Sequence, residues 1–175
     1  MISSGPVILA SNHQSYLDPP LLGCVADRAI FFLARKTLLE GTFLGWLLPK
    51  LNVIPVDQEG GDRNALKILI RLLKAGDAVL IFPEGERTRD GQLGSALPGL
   101  GFVIAKTLAP VVPMRIFGAR EALPRGSGRV RPRPITIVVG EPIHFTPSEL
   151  DLPGKELYGQ FSQRVMDAIA ALSID

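Results

Sequence analysis

The chain has 175 residues, of which 46% are hydrophobic and 21% charged, and its formal net charge at pH 7 is +2. That length and composition predict one globular domain with a single core, and so small a charge gives no reason to expect a nucleic-acid partner. One cysteine and two histidines supply no disulfide framework and little material for a metal site, so we expect no metal and no resident cofactor.

Short apolar runs alternate with segments of helical pattern along most of the chain. Several runs are rich in Val and Ile without polar alternation, which is typical of strands buried on both faces of a sheet. We predict strands at Val7–Ala10, Ala29–Ala34, Val53–Val56, Ala78–Phe82, Val111–Phe117 and Ile135–Val139. We predict helices at Pro19–Ala26, Thr42–Leu51, Asp62–Ala75, Leu97–Leu108 and Lys155–Leu172. This alternation favours an α/β fold, in which a largely parallel sheet is flanked by helices.

A histidine and an aspartate follow the first predicted strand, within the stretch from Ser11 to Pro20. His13 and Asp18 are five residues apart, so on a regular helix they would point roughly 140° away from each other. A turn after His13, with Asp18 entering the next helix, would bring the carboxylate to the imidazole. Such a pair makes a general base, because the carboxylate fixes the tautomer and stabilises the imidazolium. A surface turn in which Asp18 caps the helix is the alternative for the same spacing.

A second polar stretch, Pro83–Arg87, follows the predicted strand Ala78–Phe82. Ligands of open α/β sheets bind beyond the carboxyl ends of the strands, so we expect His13 and Arg87 to face one crevice. Gly85 would let the backbone approach a ligand closely, and the planar fork of Arg87 suits phosphate oxygens.

Arg35 and Lys36 follow the second predicted strand in the same manner. A base, a guanidinium and a basic pair at three strand ends indicate an anionic substrate from which a proton is removed.

Two further segments are candidates for contact with a lipid surface. Five arginines lie between Arg120 and Pro134 among three prolines and two glycines. This irregular connection is either a solvated loop or a patch for anionic lipid or a phosphorylated acyl carrier. The segment Leu38–Leu48 is densely apolar and contains Trp46, which indicates core packing or an interfacial surface. No uninterrupted apolar run reaches the roughly 18 residues that a membrane-spanning helix needs.

Covalent catalysis has little support in the sequence. The G-x-S-x-G nucleophile elbow is absent. Cys24 falls on the apolar face of a predicted helix, where we expect an inert core thiol.

Taken together, Asn12-His13 with Asp18, followed by Phe82-Pro83-Glu84-Gly85 with Arg87, resembles the glycerolipid acyltransferase family. The likeness is greatest to the lysophosphatidate (1-acyl-sn-glycerol-3-phosphate) acyltransferases, which carry an N-H-x4-D block and an F-P-E-G-T-R-S block.

The resemblance extends over most of the chain, from about Val7 to Phe145. Two supporting blocks resemble the family's pattern, Ala34–Leu38 and Val111–Arg115. We therefore expect a single acyltransferase domain over residues 1–175, with a motif-bearing core at about 7–145 and a C-terminal helix at about 155–172.

The resemblance implies transfer of a fatty acyl group to the free hydroxyl of a lysophospholipid, foremost 1-acylglycerol 3-phosphate, which gives phosphatidic acid. The donor would be a thioester of coenzyme A or of acyl carrier protein, as co-substrate. His13 would be the base and Asp18 its partner, in a peripheral enzyme on the cytoplasmic face of a membrane. The substrate-binding residues that it implies are Arg35, Lys36, Glu84, Gly85 and Arg87.

Three positions depart from the family's pattern and bear on the acceptor. Gln58 stands where an arginine is usual, Glu86 where a threonine is usual, and Leu97 where a basic residue is frequent. Each change removes or offsets positive charge, so another lysolipid or hydroxyl acceptor stays open. A non-catalytic lipid-binding module is the alternative from a different class. The family usually has helices before the first strand, so we expect either a compact member or a sequence without its N-terminal part.

Overall fold

The computed structural model describes residues 3–35, 52–56 and 61–174. Several predictions fall outside these ranges: the helix Thr42–Leu51, the apolar segment Leu38–Leu48 with Trp46, and the positions of Lys36 and Gln58.

Six strands form within the described residues, each within one residue of its predicted bounds. They are β1 (Val7–Ser11), β2 (Ile30–Arg35), β3 (Val53–Val56), β4 (Ala78–Ile81), β5 (Val111–Phe117) and β6 (Thr136–Val139). Four predicted helices are confirmed within two residues. They are α1 (Asp18–Cys24), α2 (Gly61–Lys74), α3 (Pro98–Thr107) and α5 (Gly154–Ala171). A four-residue helix, α4 (Ala119–Ala122), and a 3₁₀ turn at Pro147–Glu149 were not predicted.

The six strands make one sheet in the order β3-β2-β4-β1-β5-β6. Every pairing is parallel except the antiparallel pair of β5 and β6. The predicted largely parallel sheet flanked by helices is therefore confirmed. In the β1–β4 pair Ala10 lies opposite Ile81, so the two strands end side by side. The loops that follow them consequently meet at one edge of the sheet.

Both faces of the sheet are covered. Along β1 the side chains alternate, because successive residues of a strand point to opposite faces. Ile8 and Ala10 join the core cluster that contains residues of α2, α3 and α5. Val7 and Leu9 join the second cluster, to which Leu22 of α1 belongs. All five residues of β1 are buried, as the apolar run of its first four residues predicts.

The close approach of α3 and α5 depends on Gly101. A Cβ on that residue would collide with the backbone carbonyl of Tyr158. The N–H of Gly101 donates to the Ser162 hydroxyl of α5 at 2.8 Å, and that serine is buried. Gly101 therefore serves packing between the two helices.

Two sequence expectations need correction. Cys24, predicted to be a core thiol, is exposed at the last residue of α1. The inward face of that helix is occupied by Asp18 and Leu22, and a residue two positions beyond Leu22 points to the opposite side. The loop from Arg120 to Pro134, predicted to be irregular throughout, begins inside the short helix α4. None of the helices in the described ranges is long and apolar enough to cross a membrane.

Candidate active site

Asn12 extends the pairing of β1 with β5 by one residue through its side chain. Its Nδ2 donates to the carbonyl of Ile116 at 3.0 Å, and its Oδ1 accepts from the N–H of Ile116 at 2.8 Å. Asn12 is buried, so these bonds are formed away from water and hold the end of β1 firmly. Because the amide takes the place of a backbone pair, the backbone of His13 is free to turn toward β4.

The imidazole of His13 and the carboxylate of Asp18 are 2.7 Å apart, measured from Nδ1 to Oδ2. The predicted contact between them is therefore confirmed. The same oxygen accepts from the N–H groups of Gln14 at 2.6 Å and Ser15 at 2.7 Å. Asp18 is the first residue of α1, but it makes no capping bond to that helix. Its fully buried carboxylate organises the preceding loop instead, which decides against the helix-cap alternative.

The ring of His13 is also held by stacking. The centroids of the His13 and Phe82 rings are 3.9 Å apart, and the angle between the two ring planes is 14°. Since Nδ1 faces Asp18, the bonded tautomer carries its proton on Nδ1 and leaves the lone pair on Nε2. The His13 side chain is 17% exposed, whereas Asp18 is fully buried. The arrangement is that of a base with a buried carboxylate behind it.

Glu84 joins the loop after β1 to the loop after β4. Its Oε1 accepts from the backbone N–H of His13 at 2.9 Å, and its Oε2 accepts from the N–H of Gly94 at 2.8 Å. The backbone carbonyl of His13 accepts from the N–H of Thr88 at 2.8 Å. Both backbone polar groups of His13 are therefore bonded to the β4 loop. The substrate contact predicted for Glu84 stays a prediction, and these bonds give the residue a positioning role.

Gly85 has a positive φ of +71°, which non-glycine residues rarely adopt. A Cβ at this position would also collide with the side chain of Leu97. Glycine is thus required by the turn itself, and a role in approaching a ligand stays a prediction.

Arg87 stacks on an aromatic ring of the first motif. The carbon of its guanidinium lies 3.5 Å from the centre of the Tyr16 ring. Partial burial lowers the pKa of Arg87 from its ordinary value, Tyr16 opposes this, and the positive charge of Arg125 adds to it. An arginine stays protonated under such a shift, so the group remains a cation.

Glu86 does not neutralise that cation. Its carboxylate pairs with Arg125 at 3.3 Å and with Arg89 at 3.7 Å, and all three side chains are largely exposed. Arg125 also donates to the backbone carbonyl of Arg87 at 3.1 Å. The acid that replaces the family's threonine is thus paired with other arginines.

Arg35 is the last residue of β2, and only its backbone is described. Lys36 lies outside the described residues. The Ser15 hydroxyl donates to the carbonyl of Leu123 at 2.9 Å and is buried, so it holds the loop in place and is not presented as a nucleophile.

A cavity of about 370 Å³ opens beside this cluster, within the loop that follows β4. It is lined mostly by polar side chains, among them Glu84, Arg87, Thr88 and Gln92. Arg87 is therefore shared by the cluster around His13 and by a space large enough for a small polar ligand.

The sequence did not reveal the stack on Tyr16, the stack on Phe82 or the partners of Glu84. Tyr16 lies inside the first motif, so its position in the sequence indicated a place near the site. Only the fold shows that its ring contacts Arg87. Glu86 was a second indication, since an acid next to Arg87 in sequence calls for another cation as its partner. That cation, Arg125, lies in the arginine-rich loop.

Comparisons with known proteins identify proteins that are similar to this chain. A family model described as "Acyltransferase" matches residues 1–117. The chain is 32% identical over 151 residues to the chloroplastic 1-acyl-sn-glycerol-3-phosphate acyltransferase LPAT1 of Arabidopsis thaliana, covering 85% of this chain and 42% of that protein. It is 28% identical over 169 residues to the 1-acyl-sn-glycerol-3-phosphate acyltransferase of Bacillus subtilis (strain 168), covering 94% of this chain and 80% of that protein.

A crystal structure of the 1-acyl-sn-glycerophosphate acyltransferase PlsC from Thermotoga maritima superposes with a TM-score of 0.69 at 28% identity. The match covers 98% of this chain and 69% of that one. By contrast, the chain spans less than half the length of two chloroplastic plant relatives, 42% of the Arabidopsis thaliana protein and 44% of a Brassica napus one.

Proposed function

The chain belongs to the acyltransferase family, and from that membership we propose that it transfers a fatty acyl group from an acyl thioester to the free hydroxyl of 1-acylglycerol 3-phosphate, giving phosphatidic acid. The relatives named above are 1-acyl-sn-glycerol-3-phosphate acyltransferases, which supports this choice of acceptor. The observation that carries the proposal is the His13–Asp18 pair, with its 2.7 Å contact behind a half-buried imidazole.

The chemistry needs a base because a hydroxyl is a weak nucleophile. Nε2 of His13 would take the hydroxyl proton while the oxygen attacks the thioester carbonyl carbon. The new C–O bond forms, the C–S bond breaks, and the thiolate leaves and recovers the proton from the imidazolium. Asp18 would stabilise that imidazolium through Nδ1. General base catalysis of this kind contributes about 10²–10⁴-fold to a rate.

The leaving group places little further demand on the protein. A thiol has a reference pKa of roughly 8.5, so the thiolate departs without a strong acid beside it. No covalent acyl-enzyme is needed, and the bonded hydroxyl of Ser15 gives no support for one.

The phosphate of the acceptor would be held by Arg87. A phosphate binds a guanidinium through two parallel hydrogen bonds, which fixes its orientation as well as its distance. Glu86 is paired with Arg125 and Arg89, so the acid next to Arg87 in sequence does not cancel its charge. That pairing favours a phosphate-bearing acceptor over an uncharged one, despite the departure from the family pattern.

We also propose that the protein acts while adsorbed to the cytoplasmic leaflet, where its acceptor and product lie. Arg129, Arg131 and Arg133 are exposed, and Val130 between them is 65% exposed. A basic residue close to an anionic membrane surface contributes about 1 kcal/mol of attraction. This loop would therefore supply electrostatic adsorption.

The deciding experiment incubates the protein with acyl-coenzyme A or acyl carrier protein thioesters and a panel of lysophospholipids, with the products identified by mass spectrometry. We expect phosphatidic acid, and we expect its rate of formation to fall by about 10²–10⁴-fold in His13→Ala. A product formed only from lysolipids without a terminal phosphate would contradict the acceptor. Binding of lysophospholipid without any product would favour the lipid-binding module instead.

A further inference from the structure

Tyr16 occupies a fixed place in the loop between β1 and α1. The Ser15 hydroxyl before it donates to the carbonyl of Leu123 at 2.9 Å and accepts from the N–H of Leu17 at 3.3 Å. Asp18, two residues later, bonds the N–H groups of Gln14 and Ser15. The backbone of Tyr16 is thus held on both sides, so the position of its Cα, to which the side chain is attached, is fixed.

Arg87 is equally fixed, from a different part of the chain. Its carbonyl accepts from Nη1 of Arg125 at 3.1 Å. The next residue, Thr88, donates its N–H to the carbonyl of His13 at 2.8 Å. The two loops are therefore tied to each other, and the stack of Arg87 on Tyr16 joins two held segments.

Stacking determines which part of the guanidinium a ligand can use. With the guanidinium carbon 3.5 Å from the ring centre, one face of the planar group is covered. Its N–H groups lie in the plane and point outward from the edge, where two phosphate oxygens bind side by side. The orientation of the ring then sets the plane in which the phosphate is held. A lysine could neither stack in this way nor offer a fork.

We propose that Tyr16 is a positioning residue for the acceptor's phosphate, because its ring holds the fork of Arg87 in the plane that two phosphate oxygens require. This inference rests on the proposed function, in which Arg87 binds that phosphate. It assigns to the first motif a part in acceptor recognition, in addition to the base that His13 supplies.

The test compares Tyr16→Leu with its matched control Tyr16→Phe, which keeps the ring and removes only the hydroxyl. Two measurements are made on the full chain: calorimetric binding of glycerol 3-phosphate, and KM and kcat for 1-acylglycerol 3-phosphate. Cation–π contacts of this type predict a rise of about three- to thirtyfold in Kd and KM for Tyr16→Leu, with kcat nearly unchanged. Tyr16→Phe should stay within about twofold of the parent protein by the same reasoning.

Arg87→Lys completes a double-mutant cycle with Tyr16→Leu. It should weaken glycerol 3-phosphate binding alone, and the double variant should bind no more weakly than Arg87→Lys. Losses that multiply in the double variant would overturn the inference, because the two residues would then act independently. So would an unchanged Kd in Tyr16→Leu, or an equal loss in Tyr16→Phe.

If Tyr16→Leu does not fold, Tyr16→Trp replaces it, since Trp is the strongest cation–π partner and should retain binding while Arg87→Lys loses it. Weak binding by a folded Tyr16→Trp beside normal binding by Arg87→Lys would then overturn the inference. A parent protein that binds glycerol 3-phosphate but transfers no acyl group would contradict the proposed function alone, and the Tyr16 comparison would still be decided by the Kd values.

Discussion

Two loops are bonded to the loop after β4, and they differ in how their polar groups are satisfied. The loop after β1, which carries His13, has buried side chains at Asn12, Ser15 and Asp18, each bonded to a partner inside the protein. The loop after α4 has arginines exposed to solvent. A buried polar group that loses its partner cannot recover it from water, whereas an exposed cation can. Substitutions in the first loop should therefore alter chemistry, and those in the second should alter surface binding.

The largest effect expected is from His13→Ala in the first loop. Removal of the proposed base should lower kcat by about 10²–10⁴-fold, because general base catalysis contributes a factor of that size. Steady-state kinetics with purified substrates measures it, with thermal melts to show that the fold is retained.

His144→Ala is the matched control for that change, since His144 is the other histidine and is exposed. It should leave kcat unchanged.

Asp18→Asn should lower kcat, as His13→Ala does, because the imidazole would then hold its proton on the wrong nitrogen. Near-normal turnover in His13→Ala would contradict the mechanism.

The second loop is tested by replacing Arg129, Arg131 and Arg133 together with Gln. Three basic residues at about 1 kcal/mol each predict a fall of roughly 100-fold in binding to vesicles that contain anionic lipid. Arg125 is kept, because its side chain is bonded to Glu86 and to the backbone of Arg87. Flotation at low salt measures the binding, which should also weaken as salt is added.

A control triple with the same change in net charge is available on α2. Lys67, Arg71 and Lys74 are exposed there, and their replacement by Gln should reduce vesicle binding much less. Equal losses in the two triples would show that net charge matters and the loop does not. No binding by the parent protein at low salt would contradict adsorption through this loop.

Glu84 is intermediate between the buried polar groups and the exposed arginines. It is half-buried, and both its oxygens accept hydrogen bonds from backbone N–H groups. In Glu84→Gln an NH₂ group replaces one of the two oxygens, and that group donates hydrogen bonds but cannot accept them. The loss of one charged acceptor predicts a fall of about 1–3 kcal/mol in the free energy of unfolding, together with a lower kcat. Urea denaturation and kinetics measure the two. A raised KM with unchanged stability would instead support the substrate contact predicted from the family.

The same contrast explains what the sequence could reveal. The strands β1 and β4 were predictable because a strand buried on both faces is a largely apolar run. The contact of His13 with Asp18 could be predicted because the two residues are only five apart, across the turn between β1 and α1. The partners of Glu84 could not be predicted in this way, because they are backbone N–H groups, which every residue has.

Two other misses have different physical reasons. A helix of four residues, such as α4, has too few positions to show a period of 3.6. The sequence predicts Cys24 in the core because the segment is apolar. The residues of α1 that point inward are Asp18 and Leu22, and Cys24 lies on the opposite side of the helix. The stack of Arg87 on Tyr16 depends on β1 and β4 being neighbours in the sheet, which no local pattern encodes.

The smallest effect is expected at the contact of the two exposed partners, Glu86 and Arg125. Their ion pair is exposed on both sides, at 55% and 43% of the side-chain area, so it contributes only about 0–1 kcal/mol to stability. Glu86→Thr, which restores the residue usual in the family, should therefore leave the unfolding free energy nearly unchanged. It should also leave KM for 1-acylglycerol 3-phosphate within about twofold, because the carboxylate it removes was paired with Arg125 and Arg89, away from the fork of Arg87. Arg125→Ala should have a larger effect on KM than Glu86→Thr, since it also removes the bond to the Arg87 carbonyl. A fall of tenfold in KM for Glu86→Thr would show that Glu86 does weaken the phosphate site, and that the acceptor of this protein carries less negative charge than proposed.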